Sequence, residues 1–119
     1  MTQTTEAIVI RAYGGPEALV LEEVPLPPPG PGELLIRQTA AGVNFHDIYV
    51  RSGSYRTLAL PGIPGLEGVG VVEATGEGVT GFAPGDRVAY IERTYGGYAR
   101  ARVVDAALAV PVPDSVDDA

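Results

Sequence analysis

The 119 residues suffice for one hydrophobic core and are too few for two ordinary domains. The lack of Cys excludes disulfides, thiolate metal sites and thiol nucleophiles, and since all eight basic residues are Arg, a Lys nucleophile is excluded too. A net charge of -7 argues against nucleic acid and anionic membranes as partners.

The polar start, Met1 to Glu6, has no apolar signal core, and no stretch approaches the ~20 apolar residues of a membrane span, so a cytoplasmic location is expected. Glu6 to Ala12 and Leu19 to Val24 are apolar runs separated by Gly14-Gly15-Pro16, which predicts a β-hairpin. Pro25 to Gly32 (PLPPPGPG) is a surface crossing, because its prolines fix φ and remove backbone donors. Glu33 to Val43 is a long strand whose small end, Ala40-Ala41-Gly42, points to close approach by another backbone or a ligand. Asn44 to Arg51 predicts a short helix with Asn44 as N-cap, Asp47 as capping acid and Gly53 past its end.

Leu60 to Gly65 is a rigid turn, Gly68 to Ala74 a strand, and Arg87 to Ile91 another after the Pro84-Gly85-Asp86 turn. Gly97 to Val104 alternates as a strand with one wet face, and Leu108 to Pro113 reads as an edge strand. The 16 Gly and 11 Pro spread along the chain suit short strands and tight turns. The expected fold class is mainly β, a barrel or sandwich with one or two short helices, occupying residues 1–119 as one domain.

Gly76-Glu77-Gly78-Val79-Thr80-Gly81 fits the dinucleotide pattern G-x-G-x-x-G but leads through Pro84-Gly85-Asp86 into another strand. A phosphate-binding loop must open a helix, so this segment is expected to be a turn. His46 is the only histidine, too little for a zinc site, and is expected as an exposed polar residue on the short helix. A Ser-His-Asp arrangement from Ser52 or Ser54, His46 and Asp47 lacks both the geometry and a G-x-S-x-G elbow. Asn44 and Asp47 share a helix face with Arg51, and Tyr49 lies around the side, so amide, carboxylate, phenol and guanidinium are expected in one small region. Such donors suit a carbonyl oxygen that gains charge on reduction.

Three motifs carry a family resemblance. They are Gly42-Val43-Asn44-Phe45 running through Asp47, Tyr49 and Arg51-Ser52-Gly53; Leu60-Pro61 with Gly65-Leu66-Glu67-Gly68-Val69-Gly70-Val71-Val72; and Gly85-Asp86-Arg87-Val88-Ala89-Tyr90. With them, from Glu6 to Pro113, the chain resembles the zinc-independent quinone oxidoreductases, the ζ-crystallin branch of the medium-chain dehydrogenase/reductase superfamily. Zinc-dependent members carry Cys where this chain has Asn44 and His where it has Leu66, plus a loop of four Cys, all absent here.

The resemblance implies a GroES-like, partly open β barrel facing a Rossmann domain that holds NADPH and is not in this chain. It places Asn44, Asp47 and Tyr49 at the catalytic position, with Phe45, Arg51, Tyr55 and Glu67 lining the pocket for nicotinamide and substrate and no metal. A phenol stays protonated at neutral pH, so Tyr49 is cast as a donor rather than a base. The implied reaction is reduction of a quinone or related conjugated carbonyl by NADPH. This chain alone is expected to be an inactive part of a longer enzyme that forms a homo-oligomer. Two alternatives stand beside this reading: a zinc-free enoyl reductase domain, and a stand-alone GroES-like interaction module without catalysis.

Overall fold

The computed structural model describes residues 3–119. Strands β1 (Gln3–Val9) and β2 (Val20–Leu26) form the expected hairpin, with Ala7 opposite Glu22 and Ile8 opposite Leu21. The remaining strands are β3 (Glu33–Ala41), β4 (Glu67–Thr75), β5 (Arg87–Ile91), β6 (Ala101–Asp105) and β7 (Ala109–Pro111). They make a five-stranded antiparallel sheet in the order β6-β3-β4-β5-β7.

Residues 97–100 join the two sheets. The Ile8 amide donates to the Tyr98 carbonyl (2.8 Å) and the Arg100 amide to that of Glu6 (2.9 Å), while on the other side the Gln38 amide donates to Arg100 (2.7 Å). The Gln38 side-chain amide clamps the same segment through the carbonyls of Gly97 and Ala99. The result is the wrapped, partly open sheet expected of a GroES-like domain. The predicted strand over 97–104 is corrected here: β6 starts only at Ala101, because residues 97–100 divide their backbone bonds between β1 and β3.

Two apolar clusters hold this frame. Leu34 and Ile36 of β3, Val72 of β4, Val88 and Tyr90 of β5 and Val104 of β6 pack on one face of the large sheet. Each fully buried branched side chain contributes about 1.5–3 kcal/mol. The second cluster joins Val50 of the one α-helix among the described residues, α1 (Phe45–Ser52), to Ile10, Leu58 and Tyr95. Val50 is fully buried and fixes α1 against the loops that follow β1 and β5. Two 3-10 turns, Pro16–Ala18 and Ala106–Leu108, complete the structure. No helix among the described residues is long and apolar enough to cross a membrane.

Candidate functional site

Helix α1 starts where β3 ends, and local chemistry sets both its termini. Asn44 is the N-cap in extended backbone (φ -120, ψ 157), and its N–H donates to Asp47 Oδ2 at 3.0 Å, one arm of a capping box. Gly53 ends the helix at φ 89, a left-handed position that glycine takes without steric cost. The amphipathic spacing turns Asp47 and Val50 inward and Phe45, Ile48 and Tyr49 outward.

Asp47 is the one buried charged residue among those described, at 4% exposure. Its Oδ2 accepts from the Asn44 amide and from Tyr98 Oη (2.8 Å), whereas its buried Oδ1 has no partner among the described residues. Tyr98 is pushed well above the ordinary phenol range, first by burial and then by its hydrogen bond to the Asp47 carboxylate. The phenol is therefore a permanent donor to Asp47. Sequence reasoning missed Tyr98, taking it only as one position on an alternating strand. Nothing local marks it, since its partner is 51 residues away.

The expected cluster of four groups divides. Asn44 and Asp47 are brought together, but Tyr49 pairs with Tyr55, their ring centroids 5.2 Å apart and tilted by 57°. Tyr49 and Tyr55 are 44% and 46% exposed and Phe45 79%, so the outer side of α1 is an aromatic surface. Arg51 turns to the loop after β1: its Nε donates to the Gly14 carbonyl (3.2 Å), and the Gly14 amide donates back to the Arg51 carbonyl (3.0 Å). His46 also departs from expectation. It is half-buried, its Nε2 3.1 Å from Tyr95 Oη and its ring 5.4 Å from that of Tyr55.

The small end of β3 is explained by Glu67, whose side chain lies directly over Gly42, while the Gly42 amide donates to the Glu67 carbonyl (3.1 Å). Glu67 also borders an apolar groove of about 840 Å³ between the ends of β3, β4 and β5 and residues 107–119. Asn44, Asp47 and Tyr49 do not line that groove. Its far wall is tied down by Asp118, which accepts from Arg87 and from Thr39 Oγ1 (2.8 Å). Those hydrogen bonds hold the Asp118 carboxyl below its usual range.

The G-x-G-x-x-G segment is a turn between β4 and β5, as its context predicted. Gly76 is required by packing: a Cβ there would sit 1.8 Å from the Gly30 carbonyl oxygen. With no helix behind it, the segment offers no cradle for nucleotide phosphates. Among the described residues no group of three or more His, Cys, Asp or Glu is placed to hold a metal ion.

Residues 30–114 match the model of the alcohol dehydrogenase GroES-like domain. A quinone oxidoreductase of Pseudomonas aeruginosa is 44% identical over 110 residues, covering 92% of this chain and 34% of that protein. A 2-haloacrylate reductase of a Burkholderia species is 41% identical over 114 residues, with coverage of 93% and 34%. The crystal structure of a mycobacterial protein complexed with NADPH superposes with a TM-score of 0.85 at 43% identity, covering 95% of this chain and 35% of that one. The chain thus spans roughly a third of the length of these relatives. Both the extent of the match and the wrapped sheet that presents α1 lead to one conclusion: this chain belongs to the alcohol dehydrogenase GroES-like domain family, with quinone oxidoreductases among its relatives.

Proposed function

We propose that this chain is the substrate-side domain of an NADPH-dependent quinone oxidoreductase that reduces quinones or related conjugated carbonyls without a metal. The observation that carries this reading is α1, whose N-cap Asn44 and buried Asp47–Tyr98 pair lie at its start, with the exposed Tyr49 and Tyr55 paired on its outer side. A planar conjugated carbonyl fits an aromatic surface, and the amide of Asn44 and phenol of Tyr49 are donors for an oxygen that gains charge. Asp47 orients this end of the helix through the Asn44 backbone. Phe45 and Tyr55 extend the exposed aromatic surface, Glu67 lies over Gly42 at the end of β3, and Arg51 braces the far end of α1 through Gly14.

NADPH supplies the hydride in this reading, and its phosphates are held outside this chain, in a Rossmann domain, because residues 76–81 cannot cradle them. The relative complexed with NADPH supports the choice of nucleotide. The sequence supports metal-free chemistry, having no Cys and one His. The chain alone is then inactive, and the longer enzyme is cytoplasmic and homo-oligomeric.

A second reading, reduction of an activated alkene as in an enoyl reductase, is favoured by the 2-haloacrylate reductase relative. The test is the intact mass of the natural gene product, followed by NADPH oxidation with a simple quinone and with an enoyl thioester. A product much longer than 119 residues that prefers the quinone supports the first reading, and preference for the thioester selects the second. An inactive product ending at Ala119 overturns both and leaves a non-catalytic interaction module.

A further inference from the structure

His46 stands apart from the groups assigned above, yet it continues their aromatic surface. Its ring lies between Tyr55 (5.4 Å) and Tyr95 (5.9 Å, stacked at 19°), and Tyr55 in turn meets Tyr49. On its inner side Nε2 is 3.1 Å from Tyr95 Oη, which is hydrogen-bonded to Thr57 Oγ1. Nδ1 has no hydrogen-bond partner among the described residues. Tyr95 is 7% exposed and has φ 69, the one positive φ outside glycine among the described residues. An aromatic residue in that region is costly and persists only where its surroundings over-determine it. Here the strained backbone brings a buried hydroxyl to the inner nitrogen of the only histidine in the chain.

We propose that His46 is the proton donor of the reduction, with Tyr95 and Thr57 as positioning residues that hold Nε2 inward and leave Nδ1 for the substrate oxygen. This rests on the reductase reading. A quinone that takes up a hydride from the reduced nicotinamide gains two electrons and one negative oxygen. That oxygen takes the Nδ1 proton: the N–H bond breaks, an O–H bond forms, the imidazolium becomes neutral imidazole, and water restores its proton. In this arrangement Nε2–H donates to Tyr95 Oη and the Tyr95 O–H to Thr57 Oγ1, so the inner ring nitrogen and the phenol each have an acceptor. The titratable groups facing His46 are the Tyr55 and Tyr95 phenols; the neighbouring Asp47 carboxylate is turned away onto Tyr98.

Two measurements test this. Nitrogen NMR of the single imidazole in this 119-residue chain reads the tautomer without needing turnover. The neutral ring should carry its proton on Nε2, and Tyr95→Phe or Thr57→Val should shift the tautomer ratio; unchanged nitrogen signals in both variants overturn the positioning. In the natural gene product, His46→Gln should lower kcat about 10²-fold with little change in KM. A variant that keeps the parental kcat overturns the donor role. Absence of NADPH oxidation in the parent protein overturns the reductase reading and the proton's destination with it, and the NMR result still decides the ring's orientation.

Discussion

Tyr98 donates a 2.8 Å hydrogen bond to Asp47 Oδ2, tying the segment that joins the two sheets to the first turn of α1. Burying a carboxylate is costly unless hydrogen bonds offset the lost hydration, and with Oδ1 unpartnered among the described residues this phenol supplies one of the two donors that Oδ2 has. Tyr98→Phe is expected to cost about 1.5–3 kcal/mol, the range for hydrogen bonds to charged groups. Asp47→Ala leaves both donors without their acceptor and should cost at least as much. Denaturant melts of the two single variants and the double variant should show a double loss well below the sum; strict additivity would mean that the bond does not contribute.

The same bond gives stability an alkaline limit. Burial and the Asp47 carboxylate raise the Tyr98 phenol above its ordinary value of 10.0, and burial raises Tyr90 in the same direction. Above about pH 10 the unfolded chain releases these protons while the folded chain keeps them. Stability is therefore full below that pH and falls as pH rises toward the folded values. Melting temperature followed from pH 8 to 11 should decline, with a shallower decline in Tyr98→Phe; parallel curves would remove Tyr98 from the account.

Asp118 predicts the opposite limit for the wall of the apolar groove. Arg87 and Thr39 hold its carboxyl below the ordinary carboxylate value of 3.8, so the clamp is intact at neutral pH and is lost as pH falls below about 4. Arg87 also donates to the Val116 carbonyl (2.7 Å), so Arg87→Ala should release the whole segment after β7 even at neutral pH. Amide hydrogen exchange over residues 112–119 should accelerate in that variant while β3 and β4 stay protected. Equal protection in both proteins would show that the clamp is dispensable.

Much of this frame was legible because local chemistry decides it. The bounds of β5, Arg87–Ile91, follow from the Pro84-Gly85-Asp86 turn, and those of α1 from Asn44, Asp47 and Gly53. What could not be read was set by residues distant in sequence. His46 looked exposed because its partner Tyr95 is 49 positions away, and Tyr98 was invisible until the chain closed on Asp47. Gly76 shows the converse: a motif pattern suggested a ligand, but its context pointed to a turn, and the nearby Gly30 carbonyl explains the glycine.

That explanation is testable. Gly76→Ala forces a Cβ against backbone rather than a flexible side chain and should destabilise the fold by about 3 kcal/mol. Gly78→Ala places its methyl in open space at φ 81 and should cost only about 1 kcal/mol, the strain of the left-handed region. A phosphate-binding loop would make neither distinction. Equal melting temperatures for the two variants would contradict the packing account.

Asn44 has two roles that one substitution can separate. As N-cap it stabilises α1, and Asn44→Ala should cost about 1 kcal/mol. Ser is an equally good cap but lacks the amide N–H donors, so Asn44→Ser should leave the melting temperature nearly unchanged. If the amide donates to the oxygen that gains charge, the same variant should lower kcat in the natural gene product by about 10²-fold, the typical loss for one such donor. A serine variant with parental stability and parental turnover would reduce Asn44 to a structural cap and shift the electrostatic role to Tyr49. Tyr49→Phe should then carry the loss assigned to Asn44, since its phenol, 44% exposed, is the other hydrogen-bond donor proposed for the charged oxygen.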